Sequence, residues 1–458
     1  MPTSNPETRA LDHNQSGHSS LSSPGSDEQG RARVWLARGG WAVGDQALFA
    51  GGNFILNIFL ARWLLPQDYG AYVTALTAFT FVVVIHQALL SDPMLVFGSG
   101  RYKERFKEYL GTLLSGHVVV CVAAGIVLVL TSFLLPYLVG EGVVGPWLSL
   151  AVACPFILLS YFTRKACYAV HKPFWAAQSS ALYLAVLLAL LYATHRWGGA
   201  LTAGSAFGIM GTAGLVSGGA LLALLGPRSP RLHRSNAFLR SIGRAHWRYG
   251  RWTTATGLMG WAPGWIWYLV LPAWIGLEAG GTLRALTNLA LPMGHALGAL
   301  GAILVPTFVA SRNESAKRYG LLFWGCLVLL GGAALLYWGV VSYYGETLVT
   351  WVYDGKYAAE SYLLIILCFV PVVRALGTVA DSSLHASERP DLVFYGSLAA
   401  LALTLSLGLG LTYIYGLAGA AWGNLWAILA MTGLSMVFAL RNLRRVYARH
   451  ERSPDVLP

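Results

Sequence analysis

Long apolar runs separated by short polar breaks fill this sequence from Gly39 onward, and they limit what the chain can fold into. A helix that crosses a bilayer needs about 20 mostly apolar residues in a row. The runs therefore predict an all-α polytopic membrane protein with about twelve transmembrane helices. We place these spans at residues 40–62, 70–91, 110–135, 146–166, 174–195, 201–225, 252–275, 282–306, 320–343, 357–379, 392–413 and 416–439.

The low charge content of the chain supports a membrane location. Charged residues make up 11% of the 458 residues, whereas a soluble domain carries about 25%. A soluble enzyme or a secreted domain of this size would need a polar surface that the sequence does not supply. The sequence also contains no metal-ligand spacing, nucleophile elbow or phosphate-binding loop. We therefore expect no enzymatic activity, no catalytic residues and no metal site.

Basic residues fall almost entirely on one side of the predicted membrane. Of the 32 Lys and Arg, 27 lie in the two termini, in the loops that follow spans 2, 4, 6, 8 and 10, or at the span ends that border these loops, as Arg164 and Lys165 do. The opposite loops carry only Arg62, Arg196 and Lys356, and two more arginines lie within spans. We call these the Arg-rich and the Arg-poor sides. Because basic loops stay in the cytoplasm, both termini are predicted to be cytoplasmic. The net charge of +12 then indicates contact with anionic membrane lipids, and no nucleic acid partner is needed to explain it.

The two halves of the chain contain an internal repeat. At an offset of 211 residues, Trp41, Trp63, Gly70 and Arg101 recur as Trp252, Trp274, Gly281 and Arg312. Further on, the sequence "CYAVHKP" at 167–173 resembles "LHASERP" at 384–390, at an offset of 217. Parallel six-helix repeats normally form two lobes beside a central path, with the substrate site between them.

The repeat and the composition divide the chain into five parts. We expect a disordered cytoplasmic tail at 1–38, because that segment is rich in Ser, Gly, Pro and Asn. The N-lobe with spans 1–6 follows at 39–226, and an Arg-rich cytoplasmic linker at 227–250. The C-lobe with spans 7–12 occupies 251–440, and a cytoplasmic tail occupies 441–458.

Polar side chains within the spans are few, and a charge there costs about 2.5–3.5 kcal/mol on insertion scales. The first span carries Asp45, Asn53 and Asn57, and the two asparagines share one helix face. They either form a cavity wall that contacts sugar hydroxyls or a coupling cation, or hold the lobe together by hydrogen bonds. His86 and Gln87 lie at a similar depth in the second span. His86 has two interpretations: it either forms a proton relay with Asp45 or has a purely structural role.

Arg374 is the candidate with the most specific chemistry. It lies within the tenth span, with Asp381 seven residues later on the same helix face. Since a guanidinium binds phosphate oxygens in a fork, Arg374 is predicted to exchange Asp381 for a diphosphate; a permanent ion pair is the alternative. Arg164 occupies the repeat position of Asp381, and it either faces the same entrance or anchors the basic side. Arg284 is a further candidate, although it lies near the outer end of the eighth span and can snorkel to the surface.

Three segments together resemble a known family. They are "GDQALFAGGNFILNIFLARWLLPQDYGAY" in spans 1–2, "YAAESYLLIILCFVPVVRALGTVADSSLHASERP" in span 10, and "YGLAGAAWGN" at the start of span 12. In this order and spacing, from Gly39 to about Leu443, the chain is similar to polysaccharide flippases. These are the O-antigen, lipopolysaccharide and exopolysaccharide exporters of the multidrug/oligosaccharidyl-lipid/polysaccharide superfamily.

The resemblance implies a V-shaped pair of six-helix lobes around a central cavity, which alternates between inward- and outward-facing states. It implies a flippase that moves undecaprenyl-diphosphate-linked glycan across the bacterial inner membrane without enzymatic chemistry. The only cofactor that it suggests is a coupling cation, H⁺ or Na⁺. A polysaccharide polymerase and glycosyltransferases are the protein partners that it suggests.

Two other functions remain open at this point. One is a cation-coupled multidrug or metabolite antiporter of the same superfamily, and glycosyltransferase genes beside this one would favour the flippase over it. The other is a non-transporting membrane scaffold of a polysaccharide-synthesis complex. Asp45 and Arg374 argue against the scaffold, because a scaffold has no use for charges inside the bilayer.

Overall fold

A computed structural model describes residues 24–197, 201–228 and 236–452, and within these ranges the chain forms helices without a β-strand. The first half contains α1 (Pro24–Trp63), α2 (Pro66–His86), α3 (Asp92–Ser99), α4 (Phe106–Leu134), α5 (Pro136–Val139), α6 (Val144–Ala169), α7 (Pro173–Arg196) and α8 (Ala203–Leu225). The second half contains α9 (Asn236–Trp265), α10 (Trp267–Trp274), α11 (Leu277–Asn288), α12 (Leu291–Glu314), α13 (Ala316–Tyr343), α14 (Gly345–Tyr353), α15 (Leu364–Leu367), α16 (Val370–Ala386), α17 (Pro390–Leu403) and α18 (Leu409–Arg452). Two π-helices (Gln87–Ser91 and Thr404–Gly408) and three 3₁₀ turns (Lys103–Arg105, Glu141–Val143 and Ala358–Leu363) complete the chain order. The predicted all-α membrane fold is confirmed.

Nine helical segments of the described ranges are long and apolar enough to cross a membrane. They are Pro66–Ser99, Lys103–Leu134, Glu141–Ala169, Pro173–Arg196, Ala203–Leu225, Leu291–Glu314, Ala316–Tyr343, Ala358–Ala386 and Pro390–Ala448. The difference from the twelve predicted spans has two sources. Predicted spans 11 and 12 form one segment, which bends at Gly416, where φ is 59°. Predicted span 1 lies in α1, which carries Asp45 and two asparagines, and it is not among the nine segments. Predicted span 7 is divided between α9 and α10 and is not among them either.

Several boundaries differ from those that the sequence predicts. α1 begins at Pro24, so residues 24–38 of the predicted disordered tail are helical, whereas 1–23 lie outside the described residues. α9 begins at Asn236, so the second part of the predicted linker 227–250 is continuous with span 7. The C-terminal tail begins as the end of α18, which runs to Arg452. Predicted span 8 is divided between α11 and α12, and predicted span 10 between α15 and α16. Such broken helices occur at membrane depth where they line cavities or are covered by protein.

The internal repeat has a conformational signature. α6 ends at Ala169 and α16 ends at Ala386, which are the predicted repeat partners. His171 and Glu388, two residues further on, both adopt a left-handed backbone, with φ of 58° and 59°. A positive φ is uncommon for residues other than glycine, so its recurrence at the same repeat position shows that both halves make the same turn.

The lobes meet on the Arg-poor side, where α2 packs against α11. A Cβ atom added to Gly70 would lie 1.8 Å from the carbonyl oxygen of Leu277, and one added to Gly281 would lie 2.9 Å from the nitrogen of Gly70. Gly70 and Gly281 are repeat partners. The two lobes are therefore in close contact at a point where two equivalent residues of the repeats, Gly70 and Gly281, lie against each other.

Candidate functional site

A cavity of about 490 Å³ lies between the lobes, and α1, α2, α6, α8, α9, α11 and α12 line it. We call it the N-lobe cavity. None of its described lining residues is a carboxylate, whereas three are cationic. The structure places five of the predicted site residues on its wall: Asn53, Asn57, Gln87, Arg164 and Arg284. Their part in transport stays a prediction.

Asp45 lies behind this wall and is held by Arg164. The guanidinium donates to both carboxylate oxygens, Nε to Oδ1 and Nη2 to Oδ2, at 2.9 Å each. The hydroxyls of Tyr168 and Ser180 also donate to Asp45. Asp45 is 0% exposed and Arg164 is 6% exposed, so this pair fastens α1 to α6 and α7. Removal of one member of a buried pair leaves a buried charge without a partner.

Arg164 has a second contact, which faces the cavity. Its guanidinium carbon lies 3.9 Å from the centroid of the Phe49 ring, within cation–π range. Lys165 is the next residue of α6 and also lines the cavity. The positive end of this wall therefore lies toward the Arg-rich side.

Asn53 and Asn57 belong to a hydrogen-bonded chain that crosses between the lobes. The Asn53 Oδ1 accepts from Tyr183 of α7 at 3.2 Å, and the Asn57 Oδ1 accepts from Tyr69 of α2 at 3.4 Å. The Tyr69 hydroxyl in turn accepts from Nδ2 of Asn288 in the C-lobe, at 3.0 Å. The two sequence interpretations thus coincide, because both asparagines line the cavity and also bond neighbouring helices.

Arg284 lies in the protein interior and does not reach the membrane surface, as a snorkelling residue would. It is 9% exposed and lines the N-lobe cavity. The reason is the break between α11 and α12, which places the end of α11 against α2 in the protein interior. The guanidinium carbon lies 5.0 Å from the Trp265 ring and 5.8 Å from the Tyr268 ring. Among the described residues no carboxylate pairs with Arg284, and its Nε has no hydrogen-bond partner.

His86 does not lie on the cavity wall, and it forms no hydrogen bond with Asp45, which a direct relay between the two would require. His86 is fully buried, and its Nε2 lies 2.9 Å from Nδ1 of His117 in α4. Asp45 is already bonded to Arg164, Tyr168 and Ser180. Only the neighbouring Gln87, where the π-helix begins, reaches the cavity.

A second cavity of about 520 Å³ lies between α12 and α16, and we call it the C-lobe cavity. Arg374 and Asp381 both line it, and Leu291 lines both cavities. The predicted ion pair between Arg374 and Asp381 is absent from the described contacts. Two residues that are seven positions apart in an α-helix share a face, but they are separated by about 10.5 Å along the helix axis. Arg374 instead contacts the sulfur of Met431, 3.3 Å from Nη1.

No protein-family model and no curated protein matches this chain. Solved structures do match it. An inward-facing multidrug resistance MATE family transporter of the MOP superfamily has a TM-score of 0.69 at 13% identity, over 88% of this chain and 95% of that chain. The lipid II flippase MurJ in an inward closed conformation has a TM-score of 0.67 at 12% identity, over 88% and 90%. An outward-facing MATE family transporter of the MOP superfamily has a TM-score of 0.57 at 11% identity, over 90% and 96%.

The chain has the fold of the MOP-superfamily transporters. This finding confirms the predicted fold of two helical lobes related by an internal repeat. The TM-score is higher with the inward-facing than with the outward-facing MATE structure. In this structure the lobes meet on the Arg-poor side through Gly70 and Leu277.

Within the MOP fold, the sequence analysis missed several residues of the N-lobe cavity. Lys165 was counted only as a topology signal, and His295 of α12 was not considered. A histidine within a predicted span was the available signal for the second of these. Trp265 and Tyr268, which flank Arg284, lie in the unusual aromatic segment "WAPGWIWY" of predicted span 7, but aromatic residues are common in membrane helices and do not by themselves indicate a cavity.

Proposed function

We propose that this chain is a flippase that moves undecaprenyl-diphosphate-linked oligosaccharide or polysaccharide units across the bacterial inner membrane by alternating access. One observation carries the proposal. The N-lobe cavity presents the cations Arg164, Lys165 and Arg284, and none of its described lining residues is acidic. A diphosphate is the part of such a cargo that is most costly to move through a low-dielectric region.

Arg284 is the residue that best fits a diphosphate. A buried charge without an ionic partner is destabilised by several kcal/mol through lost hydration. Bidentate bonds from a guanidinium to phosphate oxygens offset that cost for both groups. The rings of Trp265 and Tyr268 stabilise the guanidinium when no anion is bound.

The distribution of basic residues supports an orientation for this flippase. With the Arg-rich side in the cytoplasm, both termini are cytoplasmic and the lobes are closed on the outer side. Cargo then enters the N-lobe cavity from the inner leaflet. Reporter fusions at Arg240 and Asp354 should report opposite sides, and the same side for both would contradict this orientation.

A cation-coupled multidrug antiporter is the second candidate, because MATE family transporters share the fold. A cationic drug needs an accessible carboxylate. Asp45 is 0% exposed and bonded to Arg164, which disfavours this candidate for the N-lobe cavity. A membrane scaffold is disfavoured as well, because it has no need for Arg284 without a counter-ion. A coupling cation, H⁺ or Na⁺, and contact with a polymerase or glycosyltransferases remain part of the proposal.

The test is export of lipid-linked glycan in a strain that lacks the gene. Deletion should cause lipid-linked glycan to accumulate in the inner leaflet, and the wild-type gene should restore export. Arg284→Gln should restore little of it, because the loss of one charge-assisted bond of about 1.5–3 kcal/mol lowers affinity by tenfold or more. Arg196→Gln is the matched control, since Arg196 is an exposed cation of the Arg-poor side.

Protein levels in the membrane are measured for each variant by immunoblot. Unchanged glycan distribution in the deletion strain would refute the flippase. Full export by Arg284→Gln at normal protein level would remove Arg284 from the cargo site.

A further inference from the structure

The N-lobe and C-lobe cavities adjoin but differ in charge. Both are lined by Leu291. Arg284 lines the first and Thr287 the second, and these residues lie about one turn apart on α11. Three cations and no carboxylate line the first cavity, whereas Arg374 and Asp381 line the second. A single cargo that fills both would therefore meet two chemically different surfaces.

One wall of the C-lobe cavity is open because it lacks side chains. A Cβ atom added to Gly294 or Gly298 of α12 would meet no protein atom within 4 Å. Small residues in membrane helices usually allow two helices to approach each other closely. Gly294 and Gly298 instead face the space of the cavity. These glycines leave room for a ligand and do not serve helix packing.

The opposite wall is a polar face of α16. Arg374, Thr378, Asp381 and His385 line the cavity there, and Asn424 of α18 lines it as well. The Oδ1 of Asp381 is buried beside the Ser435 hydroxyl of α18, and neither atom has a well-formed hydrogen bond. His385 donates from Nδ1 to the Asp381 carbonyl, at 2.7 Å, so its Nε2 is left for another partner. Hydrogen-bond donors and acceptors thus both lie along one wall of the C-lobe cavity.

We propose that the C-lobe cavity is a glycan subsite, which binds sugar hydroxyls while Arg284 and Arg164 hold the diphosphate in the N-lobe cavity. This inference rests on the proposed flippase function. Hydroxyl groups both donate and accept, so they can satisfy Asp381 and Arg374 at once. The face from Arg374 to His385 covers about 16 Å of α16, which allows contact with more than one sugar ring.

Other parts of the cargo fit this cavity less well. A phosphate would be repelled by Asp381, because an ionised carboxylate only accepts hydrogen bonds and carries the same sign of charge. A polyprenyl chain would remove water from Arg374 and Asp381 without replacing their hydrogen bonds. Sugar hydroxyls avoid both penalties.

The test uses two probes with the purified full-length protein. One probe is inorganic pyrophosphate. The other is the oligosaccharide that mild acid releases from the host's own lipid-linked pool, free of its diphosphate. Binding of each is measured by calorimetry for the wild type and for Arg284→Gln, Asp381→Asn and Gly298→Leu. Gly325→Leu is the matched control, because Gly325 of α13 is exposed, also has no atom within 4 Å of an added Cβ, and does not line the cavity.

We expect the two sets of variants to act on different probes. Asp381→Asn and Gly298→Leu should each weaken oligosaccharide binding about tenfold or more and leave pyrophosphate binding unchanged. Arg284→Gln should show the reverse, and Gly325→Leu should change neither. Should Asp381→Asn fail to fold, Gly298→Leu still decides, because its new side chain enters open space.

Three results would count against the proposal. Wild-type protein that binds no pyrophosphate would overturn the flippase function and this inference with it. Pyrophosphate binding that depends on Arg284, together with oligosaccharide binding that neither C-lobe variant alters, would overturn the glycan subsite alone. An Asp381→Asn variant that changes the pH dependence of export but not oligosaccharide affinity would make Asp381 a proton carrier, and would also overturn the subsite.

Discussion

Arg62 and Lys356 form reciprocal hydrogen bonds between the lobes: Arg62 donates to backbone carbonyls at the end of α14, and Lys356 donates to backbone carbonyls at the end of α1. Nη1 of Arg62, in the last turn of α1, lies 2.9 Å from the carbonyl oxygen of Trp351 and 3.3 Å from that of Val352, at the end of α14. Nζ of Lys356, three residues after α14, lies 2.6 Å from the carbonyl oxygen of Arg62 and 2.8 Å from that of Leu64. The last carbonyls of a helix lack partners and carry a partial negative charge. Two of the three basic residues of the Arg-poor loops therefore join the lobes through hydrogen bonds to backbone carbonyls.

Loss of either cation should open the Arg-poor side. Lys356→Met or Arg62→Gln removes charge-assisted bonds worth about 1.5–3 kcal/mol each and leaves carbonyls unpaired. The equilibrium between closed and open lobes should shift by roughly tenfold or more for each variant. Spin labels at Trp197 and Tyr343, both highly exposed, report the separation of the lobes by pulsed electron resonance.

Arg196→Gln is the control for this measurement, because Arg196 is the third basic residue of the Arg-poor loops and is exposed. It should leave the distance distribution as in the wild type. Identical distributions for Lys356→Met and the wild type would show that the reciprocal bonds do not hold the closed state.

Gly70→Ala should weaken the same closure by steric overlap. The added methyl group would lie 1.8 Å from the Leu277 carbonyl oxygen, so α2 and α11 must move apart. The spin-label distance should increase without loss of folded N-lobe. Gly51→Ala is the control, since an added Cβ there meets no atom within 4 Å. If Gly70→Ala leaves the distance unchanged, α2 and α11 separate at no cost and this contact does not set the closed state.

The Asp45–Arg164 pair should contribute to stability as a unit. Asp45→Ala leaves the buried guanidinium without its partner and should lower the free energy of unfolding by about 3–5 kcal/mol. The double variant Asp45→Ala, Arg164→Met should recover a large part of that loss, because neither charge remains. Thermal unfolding in detergent is measured for the wild type, for the single variants Asp45→Ala and Arg164→Met, and for the double variant. Additive losses in the double variant would mean that the two residues act independently, and normal stability of Asp45→Ala would mean that the pair is not structural.

Features of the chain that depend on local pattern were accessible from the sequence. Apolar runs indicated the helices, and a nearly constant offset indicated the repeat that His171 and Glu388 share. Polar residues within spans pointed to the N-lobe cavity, because burial in lipid leaves them no other place than the protein interior. Asn53, Asn57 and Gln87 line that cavity for this reason.

Pairings between distant helices were not accessible in the same way. Asp45 and Arg164 are 119 residues apart, and nothing in either span indicates the other. Arg374 and Asp381 were predicted as a pair from shared helix face alone, but a shared face does not shorten the distance of two turns along the axis. The depth of Arg284 depends on the break between α11 and α12, which the continuous apolar run conceals.

His246 attaches the first part of α9 to the N-lobe, ahead of the predicted seventh span. Its Nδ1 lies 2.8 Å from the Leu89 carbonyl oxygen, and its Nε2 lies 2.7 Å from the Tyr109 hydroxyl. A carbonyl only accepts, so Nδ1 carries the hydrogen and Nε2 accepts from Tyr109 in the neutral ring. The ring is 5% exposed, and burial lowers the pKa of His246 from its usual 6.5, although the bond to Leu89 opposes this.

Docking of α9 should therefore weaken as the pH falls. Because the pKa of His246 is lower when it is docked, the docked state favours the neutral ring. Its contribution is complete above the undocked pKa of about 6.5 and is lost progressively as the pH falls below that value. Tyr109 and Phe97, which also contact the ring, do not titrate in this range. Hydrogen exchange of residues 236–250, corrected for intrinsic rates, should be faster at about pH 5.5 than at about pH 7.5. His246→Phe keeps the ring contact with Phe97 but loses both hydrogen bonds, so its exchange should be fast at both pH values. A variant that retains the wild-type pH response would assign that response to another group.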